Sequence, residues 1–507
     1  MQTKKESKNL KKNQRVLERV ERGENYKVAA TWQVVLLPMN SVANITFMIL
    51  MMYVSYYAAG PVGLGTVTAS LVITGSRFFD AITDPIVGFI LDRTHGKFGK
   101  VRPFFVLGYL LLSISTIVMF FTAHLVPESI RLIYFIMLYG VYVLGYTFTS
   151  IAGISAGPIL TNDPKQRPLI GGLASIYITI FATGIGMLIP LYLVPKYGGF
   201  NNVNLFQELV IIVVIAAGIF YSLAIAAIWS DDTIEKLENG DSVLPKMKTK
   251  DIWKIIKGNQ PLQLFMISAI SDKFAQLIAN NAVIAIMLFG IIIGDYSISG
   301  YIQPATMVVN AIAIIFAVRY AGRVGLKKGY LFAIKGGIVV YTSLILLLWL
   351  GDPSQIGFNQ IGFMTIAFFT LFILAAGFNM ASNATSGPML SDVIDYQTYI
   401  SGRFTPGTIS SIQSFIDKMI SAIAPTIVGL VVAAIGFREA FPDIDTPYSN
   451  SILWVTLSLA YGSVIIGWII SIVAMKYYPL TLEKMEEIQG EIKVRRNKPD
   501  TEEKQVL

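Results

Sequence analysis

Leu71 to Ile90 reads LVITGSRFFDAITDPIVGFI, a stretch long and apolar enough to cross a bilayer that nevertheless holds Arg77, Asp80 and Asp84. A charge at the centre of a membrane helix costs about 2.5–3.5 kcal/mol on insertion scales, so three together oppose insertion strongly. Arg77 and Asp80 stand i,i+3 and Asp80 and Asp84 stand i,i+4, so a helix gathers all three on one face. That face must look into a protein or water-lined interior. Two converging carboxylates there suit a small cation. The blander alternative is that Arg77 only neutralises the acids and pins neighbouring helices together, which leaves one carboxylate unmatched.

The rest of the chain fits such a segment. Of 507 residues, 54% are hydrophobic and only 14% charged, and the mean hydropathy is +0.60. Soluble domains carry about 25% charged residues, so the composition indicates a polytopic membrane protein. There is no cysteine, which excludes disulfides and thiolate metal sites. The two histidines, His95 and His124, fall near segment ends, which argues against a histidine metal site or a histidine-dependent triad. No enzyme is expected, and no cofactor. Met1 to Lys27 is polar and basic and reads as a tail rather than a cleaved leader.

Segments of spanning length fall near residues 31–58, 64–91, 103–123, 131–160, 169–195 and 206–229. A second set falls near 260–293, 299–320, 330–350, 360–390, 404–435 and 452–477. The expectation is an all-α membrane protein of twelve transmembrane helices in two sets of six. Its parts are a basic tail (1–30), a six-helix bundle (31–229), a polar linker (230–257), a second six-helix bundle (258–477) and a terminal tail (478–507). Of the 40 lysines and arginines, 33 lie in the tails or after even-numbered segments, whereas the loops after odd-numbered segments hold only Arg131, Lys196 and Arg438. The positive-inside bias then puts both termini and the linker in the cytoplasm, with the chain in the cell membrane. The net charge of +8 is thereby explained by topology, without nucleic acid; the basic stretch Lys493 to Lys504 suits contact with anionic lipid.

DRTHGKFGKVRP (Asp92 to Pro103) and RYAGRVGLKKG (Arg319 to Gly329) are similar glycine-and-base loops at equivalent places in the two halves, as in a transporter with a midplane site. The other charges within segments are Asp272, Lys273, Lys335, Asp417 and Lys418. Lys418 lies deep in its segment and needs a partner. Its sequence neighbour Asp417 points about 100° away on a helix, which favours a reach across to Asp80 and Asp84.

The residues from Phe79 to Phe104, FDAITDPIVGFILDRTHGKFGKVRPF, resemble the signature of the glycoside–pentoside–hexuronide cation symporters, a branch of the major facilitator superfamily. LTNDPKQR (Leu160 to Arg167), SDVIDYQTYISGR (Ser391 to Arg403), QSFIDK (Gln413 to Lys418) and YYPLTLEKMEEI (Tyr477 to Ile488) are similar as well. The resemblance implies that Asp80 and Asp84 are cation-site carboxylates, with Thr83 and Thr147 as oxygen ligands, for sodium or a proton. It implies that Lys418 links the cation and solute sites, with Arg77, Tyr146 and Gln413 near the solute. Asp92, Arg93, Lys97, Lys100 and Arg102 after segment two, and Asp392, Asp395 and Arg403 after segment ten, are expected to latch one face.

The departures from the family are informative. Where the melibiose carriers grip galactosyl hydroxyls with two aspartates, this chain has Asn44 and Ser150; Ile154 replaces their stacking tryptophan and Ser175 an arginine. After DYQTY, Phe404 and Pro406 stand where the family usually has a basic residue and a glutamate. The resemblance thus implies a symporter importing a small glycoside, uronide or related solute with sodium or a proton, lacking the galactoside grip. A sodium-dependent lysolipid carrier, an uncoupled facilitator and a transporter-like sensor are the alternatives.

Overall fold

A computed structural model describes residues 28–94, 98–161, 163, 166–232, 257–358, 361–402 and 406–497. Among these, eleven helices are long and apolar enough to cross a membrane. The helix Thr66–Arg93 carries the charges of the opening stretch and makes twelve. In chain order the first half comprises α1 (Thr31–Ala59), α2 (Thr66–Arg93), α3 (Arg102–Leu125), α4 (Glu128–Leu160), α5 (Leu169–Tyr197) and α6 (Val203–Ile228). The second comprises α7 (Gln260–Ala279, continued by Ala282–Ile292), α8 (Ser297–Val324), α9 (Leu326–Leu350), α10 (Phe363–Ser401), α11 (Pro406–Ala434) and α12 (Asn450–Tyr477). A helix not foreseen in the terminal tail, α13 (Leu482–Asn497), packs on α10 through the buried Met485, Ile488 and Ile492.

The packing repeats. In the first half α3 lies on α4, α6 on α1 and α3, α2 on α4, and α5 on α1. In the second half α9 lies on α10, α12 on α7 and α9, α8 on α10, and α11 on α7, the same pattern shifted by six helices. The halves meet along two seams, α2 against α11 and α5 against α8.

Small residues set the close approaches. A Cβ on Gly337 of α9 would lie 2.2 Å from the Trp468 ring of α12, and one on Gly429 of α11 would lie 2.2 Å from Ser70 Oγ of α2. The helices are not uniform: α7 breaks at Asn280 and Asn281, and π-helical turns occur at Ile189–Leu193, Ile286–Ile292 and Ser458–Gly462. Such turns free backbone groups inside a spanning segment, which is tolerated where protein or water satisfies them.

At the end of the bundle away from the termini, the halves are locked together. Tyr56 of α1 donates its hydroxyl to the Pro442 carbonyl at 2.7 Å, and Thr66 donates to the Phe437 carbonyl at 2.9 Å. The Asp443 carboxylate accepts the backbone N–H groups of Phe200 and Asn201 at 2.7 and 2.9 Å. Phe200, fully buried, stacks on Tyr53 at 5.2 Å and meets Tyr296 edge-on at 5.6 Å. This aromatic plug closes the far end.

Candidate functional site

Beneath the plug, between the halves, lies a cavity of about 540 Å³ walled by α1, α2, α4, α7 and α11 and roofed by Phe441. That size lies within the range of small-molecule sites, about 300–1,000 Å³. Arg77, Asp80, Asp84, Tyr146, Ser150 and Lys418 line it, together with Lys273 and Asp417. The helical spacing of Arg77, Asp80 and Asp84 does turn one face of α2 inward. The chain tolerates these charges in a spanning helix because they face this interior and α11 rather than lipid.

Lys418 crosses from α11 to α2. Its ammonium forms an ion pair with the Asp84 carboxylate and lies 3.9 Å from Asp80 Oδ2. The other oxygen of Asp80 accepts a hydrogen bond from Thr147 Oγ1 of α4 at 3.1 Å. Thr83, buried beside it, donates to the Asp80 carbonyl at 3.2 Å and approaches Thr147 Oγ1 at 3.4 Å. Two carboxylates of α2 therefore flank one positive charge, with the Thr147 hydroxyl of α4 on Asp80 and Thr83 beside it. A sodium ion or a proton placed there would take over the counter-charge that Lys418 now supplies. Carboxylate and hydroxyl oxygens are the donor type that a hard cation takes.

A second pair, Lys273 of α7 with Asp417 of α11, stands across the cavity and was not foreseen from the separate charges. Arg77 is exposed to the cavity and, among the described residues, forms no ion pair. Beside it Tyr139, Tyr142 and Tyr146 stack along α4, with ring centroids 5.8 and 6.3 Å apart. Their i, i+3, i+7 spacing was legible as one face of a helix, a signal that the charges overshadowed.

Other expected residues are placed differently. Asn44 is not among the cavity-lining side chains: its Oδ1 accepts from Thr149 Oγ1 at 2.8 Å and from Tyr221 OH at 2.7 Å. It is a joint between α1, α4 and α6 rather than a solute contact in this conformation, because two hydroxyls already saturate its acceptor. Ile154 is 75% exposed and lies outside the cavity wall, as does the half-buried Gln413. Ser175 donates to the Gly171 carbonyl of its own helix.

The latch residues divide as well. Lys97 and Arg403 lie outside the described residues, as do the side chains of Asp92 and Arg93. Arg102 does not reach Asp392 or Asp395; it pairs with the fully buried Asp232 after α6, Nε to Oδ2 at 3.5 Å, and packs on Trp229. Asp232 also accepts the backbone N–H groups of Lys100, Val101 and Arg102. The joint ties the loop after α2 to the end of α6 within the first half. Asp395 accepts from Gln489 of α13 at 2.6 Å.

Twelve spans in two repeated halves around a central charged cavity define a membrane solute carrier of the major facilitator type. The chain belongs to the family described as MFS/sugar transport protein, which it matches over residues 39–481. It is a multi-pass membrane transporter, not an enzyme. It is 24% identical to the isoprimeverose transporter of Lactiplantibacillus pentosus, over 86% of this chain and 85% of that protein. It is 22% identical to the glucuronide carrier protein homolog of Escherichia coli strain K12, over 89% and 92%. An uncharacterized symporter of Bacillus subtilis is 24% identical, over 82% and 87%. Among solved structures, the nucleoside transporter NupG matches with a TM-score of 0.58 at 12% identity, over 89% of this chain and all of that one. A bacterial homologue of the iron transporter ferroportin matches with a TM-score of 0.59 at 13% identity, over 88% and 97%. These structures share the fold.

Proposed function

We propose that the chain is a secondary symporter that imports a small glycoside, uronide or related organic solute together with sodium or a proton. The observation that carries this reading is Lys418 held between Asp80 and Asp84 at the wall of the cavity. A coupling cation bound by the two acids releases Lys418, which then turns toward the solute. Each ligand thereby favours the other, which is the reciprocal coupling that symport requires. A unit charge crossing about 100 mV contributes about 2.3 kcal/mol, equivalent to roughly a 50-fold solute gradient under tight coupling. No bound cofactor enters this scheme.

The lysine and arginine distribution supports termini in the cytoplasm of a cell-membrane protein. On this reading the locked far end is the outer one. The bundles 31–229 and 258–477 rock about the α2–α11 and α5–α8 seams, joined by the linker 230–257. The names of the relatives support a glycoside or uronide. Met48, Met51 and Met52 on the α1 wall favour a second reading, an amphiphile such as a lysolipid, since methionine adapts to irregular apolar shapes.

The test is a thermal-shift screen of the purified protein against glycosides, uronides and lysolipids, with and without sodium and across pH, followed by gradient-driven uptake into proteoliposomes. A solute whose stabilisation grows with sodium or protons is expected. Uptake that ignores every cation gradient would leave a facilitator instead.

A further inference from the structure

Lys273 of α7 and Asp417 of α11 are two charges that the cation site does not use. They pair with each other at the cavity wall. Their sequence neighbours turn elsewhere. Asp272 faces into the second half, where Trp468, Gln276 and Ser382 donate to it, and Lys418 crosses to Asp84. α7 and α11 pack on one another within the second half, so rocking of the halves leaves the pair whole and it is no gate. Nor is it a strut. Lys273 and Asp417 are 51% and 33% exposed, and an ion pair open to water contributes little to stability. Charges in spanning segments are costly to insert, and those that are kept mark the path of a solute or ion.

The pair has hydrogen-bonding capacity to spare. An ammonium carries three donors and a carboxylate several lone pairs, and here each side chain meets only the other among the described residues. Lys273, Leu277 and Asn280 follow at i, i+4 and i+7, which turns one face of α7 to the cavity. Where α7 breaks, Asn280 and Asn281 line the same wall. Asn281 Oδ1 caps the N–H of Val283 at 3.0 Å, and the exposed Asn280 side chain bonds to no described residue. The second-half wall thus offers one carboxylate, one ammonium and an open amide. Arg77 and the tyrosines of α4 stand on the first-half wall.

The geometry points to a hydroxyl-binding subsite of the second half formed by Asp417, Lys273 and Asn280, distinct from the Asp80–Asp84 cation site. It rests on the reading of the cavity as the solute site. A sugar hydroxyl both donates and accepts, so adjacent hydroxyls of one ring suit a carboxylate and an ammonium held side by side. One donates to Asp417 and the next accepts from Lys273, and the charge on each partner strengthens the bond. An acyl chain satisfies neither group, so the subsite favours a carbohydrate over the tail of an amphiphile.

The test is calorimetric binding of methyl β-D-glucoside, methyl β-D-xyloside and methyl β-D-glucuronide to the purified full chain, with sodium present and at fixed pH. Wild type, Asp417→Asn and Lys273→Met/Asp417→Asn are compared. The glycoside that binds wild type most tightly should lose about 10- to 100-fold in affinity in each variant, the worth of hydrogen bonds to a charged group. Deoxy analogues of that glycoside identify the contact. The one lacking the hydroxyl held by Asp417 should bind wild type weakly and lose nothing further in Asp417→Asn, a coupling that a merely structural role does not produce. Unchanged affinity in both variants, or deoxy losses that add to the mutational loss at every hydroxyl, would overturn the subsite and leave the transport reading standing. If none of the three glycosides binds wild type, the carbohydrate reading fails and the subsite falls with it. The double variant leaves no unpaired charge, so it decides by the same comparison if Asp417→Asn alone does not fold.

Discussion

Replacing Lys418 by methionine, which keeps the length of the side chain but removes its charge, separates competition from co-ligation. Lys418 Nζ sits against Asp84 and 3.9 Å from Asp80. An ion pair at about 4 Å is worth about 4 kcal/mol at an effective dielectric of about 20. Side chains of Lys418 and Asp84 are 35% and 32% exposed, however. Screening and side-chain freedom reduce such a pair toward about 0.2–1 kcal/mol. An arriving cation must displace that interaction, so its removal should tighten cation binding by up to about fivefold, at 1.4 kcal/mol per tenfold. The assay is the midpoint of sodium- and proton-dependent stabilisation in Lys418→Met and wild type. Solute binding should weaken in the same variant. Unchanged or weaker affinity for both ions would refute the competition, and would mean that the ammonium contributes to the cation-loaded state.

Asp80→Asn and Asp84→Asn should each abolish cation-dependent stabilisation and cation-driven uptake while leaving a folded protein; normal behaviour in both would end the cation-site assignment. Asn44→Ala should cost about 1–3 kcal/mol of stability by leaving the buried Tyr221 hydroxyl without its acceptor, whereas Thr149 keeps the Tyr146 carbonyl. A loss of solute affinity at unchanged thermal stability would instead return Asn44 to the solute site. Burial pushes the Asp443 carboxyl above the ordinary carboxylate value, against the backbone N–H groups that hold it down. The locked far end therefore binds this proton more tightly than an open, solvated loop would. Closure should strengthen as pH falls through the raised value and lose that contribution as pH rises. Because the chain has no native cysteine, a pair introduced across the loops at Asn202 and Thr446 can report closure by cross-linking rate; an opposite trend with pH would count against the idea.

The sequence alone determined the class of fold. Twelve apolar runs, their charge asymmetry and the inward face of α2 follow from the cost of burying charge and unpaired backbone in lipid, which acts on each segment locally. The pairing of Lys418 with α2 was also legible, because a deep lysine has few acids to choose from. What each of the other polar groups meets was decided only by tertiary packing. Asn44 had the composition of a ligand, yet Thr149 and Tyr221 come from helices far along the chain and saturate its oxygen. Arg102 read as half of a latch between the halves, and Asp232, 130 residues away, holds it within one. Asp272 read as one more intramembrane charge, and its neutral partners on α9, α10 and α12 exist only once the second half has folded. Hydrophobicity is a property of a segment, whereas a hydrogen bond or an ion pair is a property of two atoms a few ångströms apart. The order of residues constrains the first directly, and only the assembled bundle brings the second together.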